Sequence, residues 1–444
     1  MFERKINPIE KSVMFLSLNT MIQFKCHQKL DFNNLKKAIL CTKQRFQYLR
    51  LKILKDNENF KFVEQNDQEL NETKIEIVQL KSIEEFQTEW KERHILFGSK
   101  NHDLTLGVLF FHLYYYDNNY ELYMSSNHSG NDARGHFIIL KDIITNLENI
   151  LCDKIELKDR KKFLNIHENI SHNFCLDDLK AGPWYENEFQ RLENIPRENI
   201  IEEKFKNLSY NFEFFQFDEE TSLKIIQNCK LNKCSVQAIF SLASTIALVN
   251  EKIDLKSISD KIECLNSIPC DMRYYFGLDL EDLIKGAASL CWLQQLGKND
   301  NLWSVAEQTT KVIHDMKNSN EGIKWWLKCL NGYNLSKYSH IASSLGKISL
   351  SEENLRNIKI MDLRFSCSTP YKAINDVFFK NSESRFQMMH VFTYSNRLTF
   401  NFCCSYPTFS SEWTKRFFQN VKNIMLSFKQ ENLFLDDVIP LLLR

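Results

Sequence analysis

The sequence predicts a layered α/β protein built from two related units. In both halves, runs of alternating apolar residues, typical of β-strands, occur between stretches with the apolar spacing of helices. Each half also contains two strand-like runs joined by a short polar turn and followed by an amphipathic helix. A chain of 444 residues exceeds what one hydrophobic core supports, so two or more domains are expected. Mixed sheets packed with helices fit these observations.

In the first unit, the apolar pattern and the turn residues define the elements. Residues 14–24 form an apolar, strand-like run, and Asp31 can cap the helix that follows. Residues 104–116 and 120–126 are rich in β-forming residues and flank Asp117-Asn118-Asn119. Asn and Asp tolerate the positive φ of a tight turn, so a hairpin is predicted there.

The start of the second unit repeats the strand-then-helix order. Residues 210–217 alternate as a strand does, and either Asp218 or Thr221 begins the next helix. Ser235 then opens a longer apolar helix that runs through Val249.

The end of the second unit repeats the hairpin-then-helix order. Residues 386–394 and 398–406 are two β-type runs around Ser395-Asn396-Arg397. Ser410 can cap the helix after them, which carries Trp413 and further apolar residues on one face.

The boundary between the units is predicted where charge and polarity rise. This happens from about residue 153 to residue 208, with the strongest breaker at Gly182-Pro183. We therefore divide the chain into a first unit of residues 1–175, a linker of residues 176–207 and a second unit of residues 208–444.

The charge balance argues against nucleic-acid binding. Lysine plus arginine number 57, as do aspartate plus glutamate, so no net field attracts nucleic acid or an anionic membrane. The short basic cluster Lys158 to Lys162 is interpreted as a solvated linker. The N-terminal region has the pattern of neither a signal peptide nor a transmembrane segment, so a soluble, cytoplasmic protein is expected. The 13 cysteines are odd in number and include no CxxC pair, which predicts buried thiols and no disulfide framework.

One short segment carries the candidate chemistry, the run from Asn127 to Ala133, NHSGNDA. It follows a predicted strand and precedes a helix, so His128 would lie at the edge of an element and face a cleft. A neutral imidazole there can take a proton from a hydroxyl or an amine. Asp132 would hold the loop, by accepting backbone N–H groups or by pairing with a distant cation. A purely structural histidine is the alternative, and a metal site lacks a third ligand at suitable spacing.

Four stretches, in the same order, resemble the superfamily of thioester-dependent acyltransferases that includes chloramphenicol acetyltransferase, the alcohol O-acetyltransferases and the condensation domains of peptide synthetases. The family's Leu-Asp-x-x-x-Leu helix and following Leu-Arg pair are similar to Leu30-Asp31 through Leu35, then Arg45-Phe46 and Leu49-Arg50. Its His-His-x-x-x-Asp-Gly motif is similar to the NHSGNDA segment. Its second-half arginine motif and its Ser-Asn-x-Gly segment resemble two further stretches, Pro269 to Arg273 and Ser343-Ser344-Leu345-Gly346.

The resemblance spans nearly the whole chain and implies a fold and an activity. It implies two chloramphenicol-acetyltransferase-like subdomains arranged as a V, with the active site at their junction. His128 would be the general base, and Asp132 would pair with Arg273 to support the site. Ser343 and Ser344 are candidate donors to the oxyanion, although a serine near a glycine is ordinarily a turn former.

The resemblance also implies the substrates. An acyl-CoA thioester would be the co-substrate, with a small alcohol or amine as acceptor and no tightly bound cofactor; a carrier-protein thioester is the secondary donor. Two residues depart from the family motif, Asn127 in place of its first histidine and Ala133 in place of its glycine. These departures keep open a different class of function, a non-catalytic binding or scaffold protein with the same fold.

Overall fold

The computed structural model describes residues 2–57, 59–154, 158–164, 210–251, 255, 261–284, 286–330, 340–371, 387–405 and 409–443. Strands and helices alternate along this part of the chain. The strands are β1 (Glu3–Lys5), β2 (Ser17–Cys26), β3 (Leu51–Asp56), β4 (Asn59–Glu64), β5 (Ile75–Gln79), β6 (Leu109–Tyr116), β7 (Asn119–Asn127), β8 (Tyr210–Gln216), β9 (Ile262–Asp271), β10 (Ala287–Leu296), β11 (His340–Lys347), β12 (Ile358–Ser368), β13 (Gln387–Tyr394) and β14 (Arg397–Ser405). The α-helices are α1 (Pro8–Ser12), α2 (Phe32–Arg45), α3 (Asp67–Asn71), α4 (Ile83–Thr88), α5 (Trp90–Ser99), α6 (Ala133–Leu151), α7 (Glu219–Leu231), α8 (Val236–Asn250), α9 (Arg273–Phe276), α10 (Leu302–Asn318), α11 (Glu321–Leu330), α12 (Ser411–Ser427) and α13 (Leu435–Val438).

Two mixed sheets, each packed with helices, organise the molecule. The five-stranded first sheet has the order β12-β2-β7-β6-β5, and the six-stranded second sheet has the order β10-β9-β11-β13-β14-β8. A small sheet of order β1-β4-β3 lies beside them. Within the sheets, β5 pairs in parallel with β6, and β11 pairs in parallel with β9 and β13. The predicted α/β class, with mixed sheets packed with helices, is confirmed.

The predicted helix starts have the expected side-chain caps. Asp31 accepts the backbone N–H of Asn33 at the start of α2, Asp218 accepts that of Thr221 at the start of α7, and Ser410 accepts that of Trp413 at the start of α12. Each cap satisfies a backbone donor that the first helical turn leaves without a partner. Asp218, rather than Thr221, therefore begins the first helix of the second unit.

Both predicted hairpins are present, with positive φ at the expected turn residues. Asp117 has φ 50° between β6 and β7, while Ser395 and Asn396 have φ 46° and 59° between β13 and β14. The two strands of each hairpin pair in antiparallel fashion. Each hairpin leads into a long helix, α6 in the first half and α12 in the second, so the pattern that suggested two related units recurs in the structure.

The two halves of the chain share one sheet. Strand β12 comes from the second half but pairs antiparallel with β2, from Ile358 opposite Cys26 to Ser368 opposite Ser17. No feature of the sequence indicated this crossover. The linker predicted at residues 176–207 lies outside the described residues, so the division of the chain at residues 175 and 208 stays a prediction, as does the V-shaped arrangement.

The side chains of the core are apolar, and several of the described cysteines, such as Cys26 and Cys229, belong to it. None of the eleven described cysteines forms a disulfide, and eight of them are buried. Among the described helices, no single one has the length and apolar character needed to cross a membrane; only α7 and α8 taken together do, and they are bent by 103° relative to each other.

Candidate functional site

His128 lies one residue beyond the end of β7, where the NHSGNDA loop leaves the first sheet. Its backbone N–H donates to the carbonyl of Leu16 at 3.1 Å, which continues the pairing of β7 with the segment before β2. The side chain is largely buried, with 9% of the residue exposed. Its Nδ1 lies 2.6 Å from the carbonyl oxygen of Asn131. A carbonyl only accepts, so Nδ1 carries the proton and Nε2 is the basic nitrogen of the neutral ring.

Asn127 is a structural residue of the loop. Its side-chain amide donates to the carbonyl of Met14 at 2.8 Å, and its amide oxygen accepts the N–H of Ser129 at 3.0 Å. The hydroxyl of Tyr48 donates to its backbone carbonyl at 2.7 Å. Asn127 and Tyr48 are fully buried. These contacts fix the start of the loop before His128.

Gly130 allows the loop to pack against an aromatic ring. A Cβ on this residue would lie 2.2 Å from Cε2 of Tyr48 and 3.0 Å from Cζ of Phe163. Real carbon contacts are not that short, so any side chain would force the ring or the loop to move. The need for glycine here comes from this close approach, because Gly130 is not among the residues with positive φ.

Asp132 has two functions, as the cap of α6 and as the partner of Arg273. Its Oδ1 accepts the N–H of Gly135 at 2.8 Å. The guanidinium of Arg273 donates to both carboxylate oxygens, to Oδ2 at 2.7 Å and to Oδ1 at 3.2 Å. The contact expected from the resemblance is therefore present, and the cap that was its alternative is present as well. That this pair supports catalysis stays a prediction.

The charge on Arg273 is compensated on several sides. Only 1% of the residue is exposed. Its guanidinium also donates to the carboxylate of Asp271 at 3.1 Å and twice to the carbonyl of Asp282, at 2.9 and 2.7 Å. Burial disfavours the charged form, but the charges and hydrogen bonds of Asp132 and Asp271 outweigh it, so the pKa of Arg273 is raised. Arg273 therefore remains a buried cation that joins the motif loop to the second half of the chain.

A buried polar cluster behind the loop was not anticipated from the sequence. The side-chain amide of Asn131 donates to the hydroxyl of Ser126 at 3.3 Å, and that hydroxyl lies 2.8 Å from Nδ1 of His136. Nε2 of His136 lies 3.2 Å from the hydroxyl of Thr20. Burial lowers the pKa of His136 to about 3, so its ring is neutral near neutral pH. The cluster thus ties the residue that holds Nδ1 of His128 to β2, β7 and α6.

The motif loop lies where elements from the two halves meet. The ring centroid of Phe137, the fifth residue of α6, lies 5.3 Å from that of Phe365 on β12 and 6.1 Å from that of Phe392 on β13. A Cβ on Gly135 would lie 3.1 Å from the side chain of Leu283 in the segment after α9. The first two turns of α6 are therefore in contact with β12, β13 and the segment after α9.

Ser343 and Ser344 lie on β11 of the second sheet. Ser343 is buried, whereas Ser344 is exposed. The hydroxyl of Ser344 accepts the N–H of Gly346 at 3.4 Å across a β-bulge, and Gly346 has φ +72°. This contact is local to the β-bulge within β11. A role for either serine in oxyanion stabilisation stays a prediction.

Within the described residues, no group of three or more His, Cys, Asp or Glu side chains is arranged to hold a metal ion. The chemistry that this loop supports directly is proton transfer at Nε2 of His128, with Nδ1 fixed by a carbonyl.

Comparison with known proteins identifies the fold. No family model and no curated protein matches the sequence. Among solved structures, polyketide synthase associated protein 5 from Mycobacterium tuberculosis superimposes with a TM-score of 0.71 at 9% identity, over 96% of this chain and 98% of that chain. The condensation domain of the monacolin K polyketide synthase gives a TM-score of 0.66 at 11% identity, over 98% and 99%. A trichothecene 15-O-acetyltransferase from Fusarium sporotrichioides gives 0.65 at 11% identity, over 96% and 95%. The chain therefore has the two-subdomain fold shared by condensation domains and this acetyltransferase, as the sequence motifs predicted.

Proposed function

We propose that this protein is an acyltransferase that moves an acyl group from an acyl-CoA thioester to an alcohol or amine, with His128 as the general base. The observation that supports this proposal most directly is the hydrogen bond from Nδ1 of His128 to the carbonyl of Asn131, at 2.6 Å. It makes Nε2 the basic nitrogen and fixes the plane of the ring.

The reaction needs no covalent acyl-enzyme. Nε2 of His128 takes the proton of the acceptor as its oxygen or nitrogen attacks the thioester carbonyl. The tetrahedral oxyanion then collapses and the carbon–sulfur bond breaks. The leaving thiolate takes the proton from His128, which restores the neutral imidazole. An N–H group or a hydroxyl such as that of Ser343 or Ser344 would stabilise the oxyanion.

The pair Asp132–Arg273 would act as a positioning element. A bidentate guanidinium–carboxylate contact restricts rotation as well as separation, because two parallel hydrogen bonds define a plane. Arg273 lies at the start of α9, directly after β9 of the second sheet, while Asp132 directly precedes α6. In this proposal the pair keeps His128 at a constant position relative to the second half of the chain.

The test is thiol release from a series of acyl-CoA thioesters with a panel of alcohols and amines, with the acylated product identified by mass spectrometry. We expect His128→Ala to lower turnover by about a hundredfold or more. The matched control is His314→Ala, since His314 is an exposed histidine on α10. Turnover of His128→Ala close to that of the unmodified protein would refute the assignment of the base.

A carrier-protein donor is the second candidate, because condensation domains are among the structures with this fold. Repeating the assay with acyl groups loaded on a phosphopantetheinylated carrier separates the two donors. Product formed only from the carrier thioester would replace the acyl-CoA proposal. Absence of product from either donor, with a folded protein, would favour the non-catalytic binding or scaffold alternative that Asn127 and Ala133 motivated.

A further inference from the structure

A basic cavity lies between α2, α6 and the segment that follows α6. Its volume is about 190 Å³. The walls come from three parts of the chain, namely Cys41, Gln44 and Arg45 of α2, Asp142 and Asn146 of α6, and Lys158 and Arg160 of the segment after α6. The proposed transfer chemistry uses none of these residues.

The segment of residues 158–164, which contributes Lys158 and Arg160 to the lining, is attached to the first half of the chain. Lys161 pairs with Phe46 through a β-bridge, with hydrogen bonds from its N–H to the carbonyl of Arg45 at 2.7 Å and from the N–H of Gln47 to its carbonyl at 3.0 Å. Phe163 is buried. The basic cluster Lys158 to Lys162 is thus held against the end of α2 and, through Lys158 and Asp142, against the middle of α6, whereas a solvated linker was expected from its composition; Arg160 and Lys162 remain exposed. Backbone pairing and the burial of Phe163 explain the difference.

The wall has an excess of positive charge. Among the described residues, Arg45, Lys158 and Arg160 carry three positive charges, and two carboxylates oppose them, Asp142 in the lining and Glu281, which pairs with Arg45, so the excess is one positive charge. Asp142 is 2% exposed, and one of its oxygens accepts from both Arg45 and Lys158. It therefore holds two cations in place at the wall of the cavity.

The Cys41 thiol does not reduce this excess of positive charge further. Burial and, secondarily, the charge of Asp142 raise the pKa of the Cys41 thiol, so it adds no negative charge. Glu281, whose side chain is 47% exposed, accepts from Arg45 at 2.8 Å and is already included in the balance. Nε of Arg45 is a buried donor that has no hydrogen-bond partner among the described residues. The chain as a whole has a net charge of zero, so this local excess is a property of the site.

The size and chemistry of the cavity define a ligand class. A volume of about 190 Å³ is small, which suits a compact group and not an extended apolar ligand. Guanidinium and ammonium groups together favour phosphate oxygens, since both supply charge-assisted donors. We infer that this cavity is an anion site that takes a phosphate group, either as inorganic phosphate or as the terminal phosphate of an ester.

The alternative is a set of ion pairs that only fastens the segment 158–164 to the helices, with water in the cavity. The two interpretations differ for Arg160, which is exposed and lies on the cavity wall. An anion site needs the charge of Arg160, whereas the fastening of the segment through Lys158 and Lys161 does not.

Isothermal titration with inorganic phosphate, at ionic strength kept constant with chloride, tests the inference. We expect saturable binding at one site, weakened at least tenfold in Arg160→Gln and in Lys158→Gln. The control is Lys162→Gln, which removes the same charge from an exposed neighbour outside the lining. We expect it to bind phosphate as the unmodified protein does.

Absence of saturable binding, or equal weakening in Lys162→Gln and Arg160→Gln, would overturn the inference. If Lys158→Gln fails to fold, Arg160→Gln still decides. Coenzyme A and its 3′-dephospho form distinguish the sources: tighter binding of coenzyme A than of the dephospho form, lost in Arg160→Gln, identifies an ester phosphate, whereas saturable binding of inorganic phosphate, weakened in Arg160→Gln, with no difference between the two forms identifies inorganic phosphate. The inference does not depend on the proposed acyl transfer, since His128→Ala should leave phosphate binding unchanged even where it abolishes turnover.

Discussion

The ion pair between Asp132 and Arg273 gives the sharpest test of how the motif loop is held. Asp132→Asn keeps a side-chain oxygen for the N–H of Gly135, and Asn is as good as Asp at a helix N-cap. The substitution removes the negative charge, however, and leaves Arg273, of which 1% is exposed, with the more exposed Asp271 as its remaining ionic partner.

The expected cost follows from this geometry. Removing one partner of a buried ion pair costs about 3–5 kcal/mol, because the other charge is left in a poorly solvated place. Asp271 and the carbonyl of Asp282 still contact Arg273, so we expect Asp132→Asn to lower the free energy of unfolding by about 2–4 kcal/mol. Arg273→Met, which keeps much of the side-chain volume, should lower it by a similar amount.

The double variant separates the pair from the cap. Removing both charges leaves no stranded ion, so the combined loss should be smaller than the sum of the single losses by at least about 1.5 kcal/mol. The measurement is urea unfolding of the four proteins, followed by tryptophan fluorescence. If Asp132 were only a cap, Asp132→Asn would cost a few tenths of a kcal/mol. Losses that add to within about 0.5 kcal/mol would refute the coupling.

Three further predictions concern the surroundings of the loop. Gly130→Ala should lower the free energy of unfolding by about 1–3 kcal/mol through overpacking and reduce turnover, because a Cβ there would lie 2.2 Å from the ring of Tyr48. A loss below about 0.5 kcal/mol would contradict this explanation. Burial lowers the pKa of His136 to about 3. Between that value and the unfolded pKa of about 6.5, only the unfolded chain binds the proton, so the folded state loses stability as the pH is lowered. Between pH 7.5 and 5.5 this histidine should account for about 1.4 kcal/mol of the loss, which His136→Gln should remove; unfolding curves at both pH values check it. Glu148 accepts the backbone N–H groups of residues 356, 357 and 358 before β12, so Glu148→Ala should cost about 2–4 kcal/mol and speed amide hydrogen exchange in β12, while exchange that matches the unmodified protein would rule out this anchoring.

Local features of the fold could be predicted because their causes lie within a few residues. The caps at Asp31 and Ser410 depend on a side chain and a backbone N–H two or three positions later. The turn at Ser395-Asn396 depends on the tolerance of these residues for positive φ. Such signals can be recognised in a single sequence because they do not depend on distant parts of the chain.

Long-range pairing could not be predicted in the same way. Strand β12 has the composition of many strands, and nothing in residues 358–368 specifies β2, over 300 positions earlier, as its partner. The buried position of His136 agrees with the apolar face of α6, but its contacts with Ser126 and Thr20 depend on how α6 lies on the sheet. The contact of Asp132 with Arg273 was expected only because the family resemblance links the two motifs.

The two departures from the family motif have different structural consequences. Asn127 presents a donor and an acceptor from one end of its side chain, to Met14 and to Ser129. An imidazole has its two nitrogens on different sides of the ring, so it could not reproduce this pair of contacts from the same position. The proton on Nδ1 of His128 is fixed by the backbone of Asn131 and not by the side chain of residue 127.

Ala133 is the first residue of α6, and its methyl group packs against the hydrophobic core that is formed mainly by the first half of the chain. Residues 127 and 133 therefore act on the packing of the loop, whereas the basicity of Nε2 in His128 depends on a carbonyl that every residue at position 131 would supply. Loss of the family's first histidine and of its glycine is thus compatible with proton transfer at His128. For this reason we place the catalytic proposal ahead of the scaffold alternative.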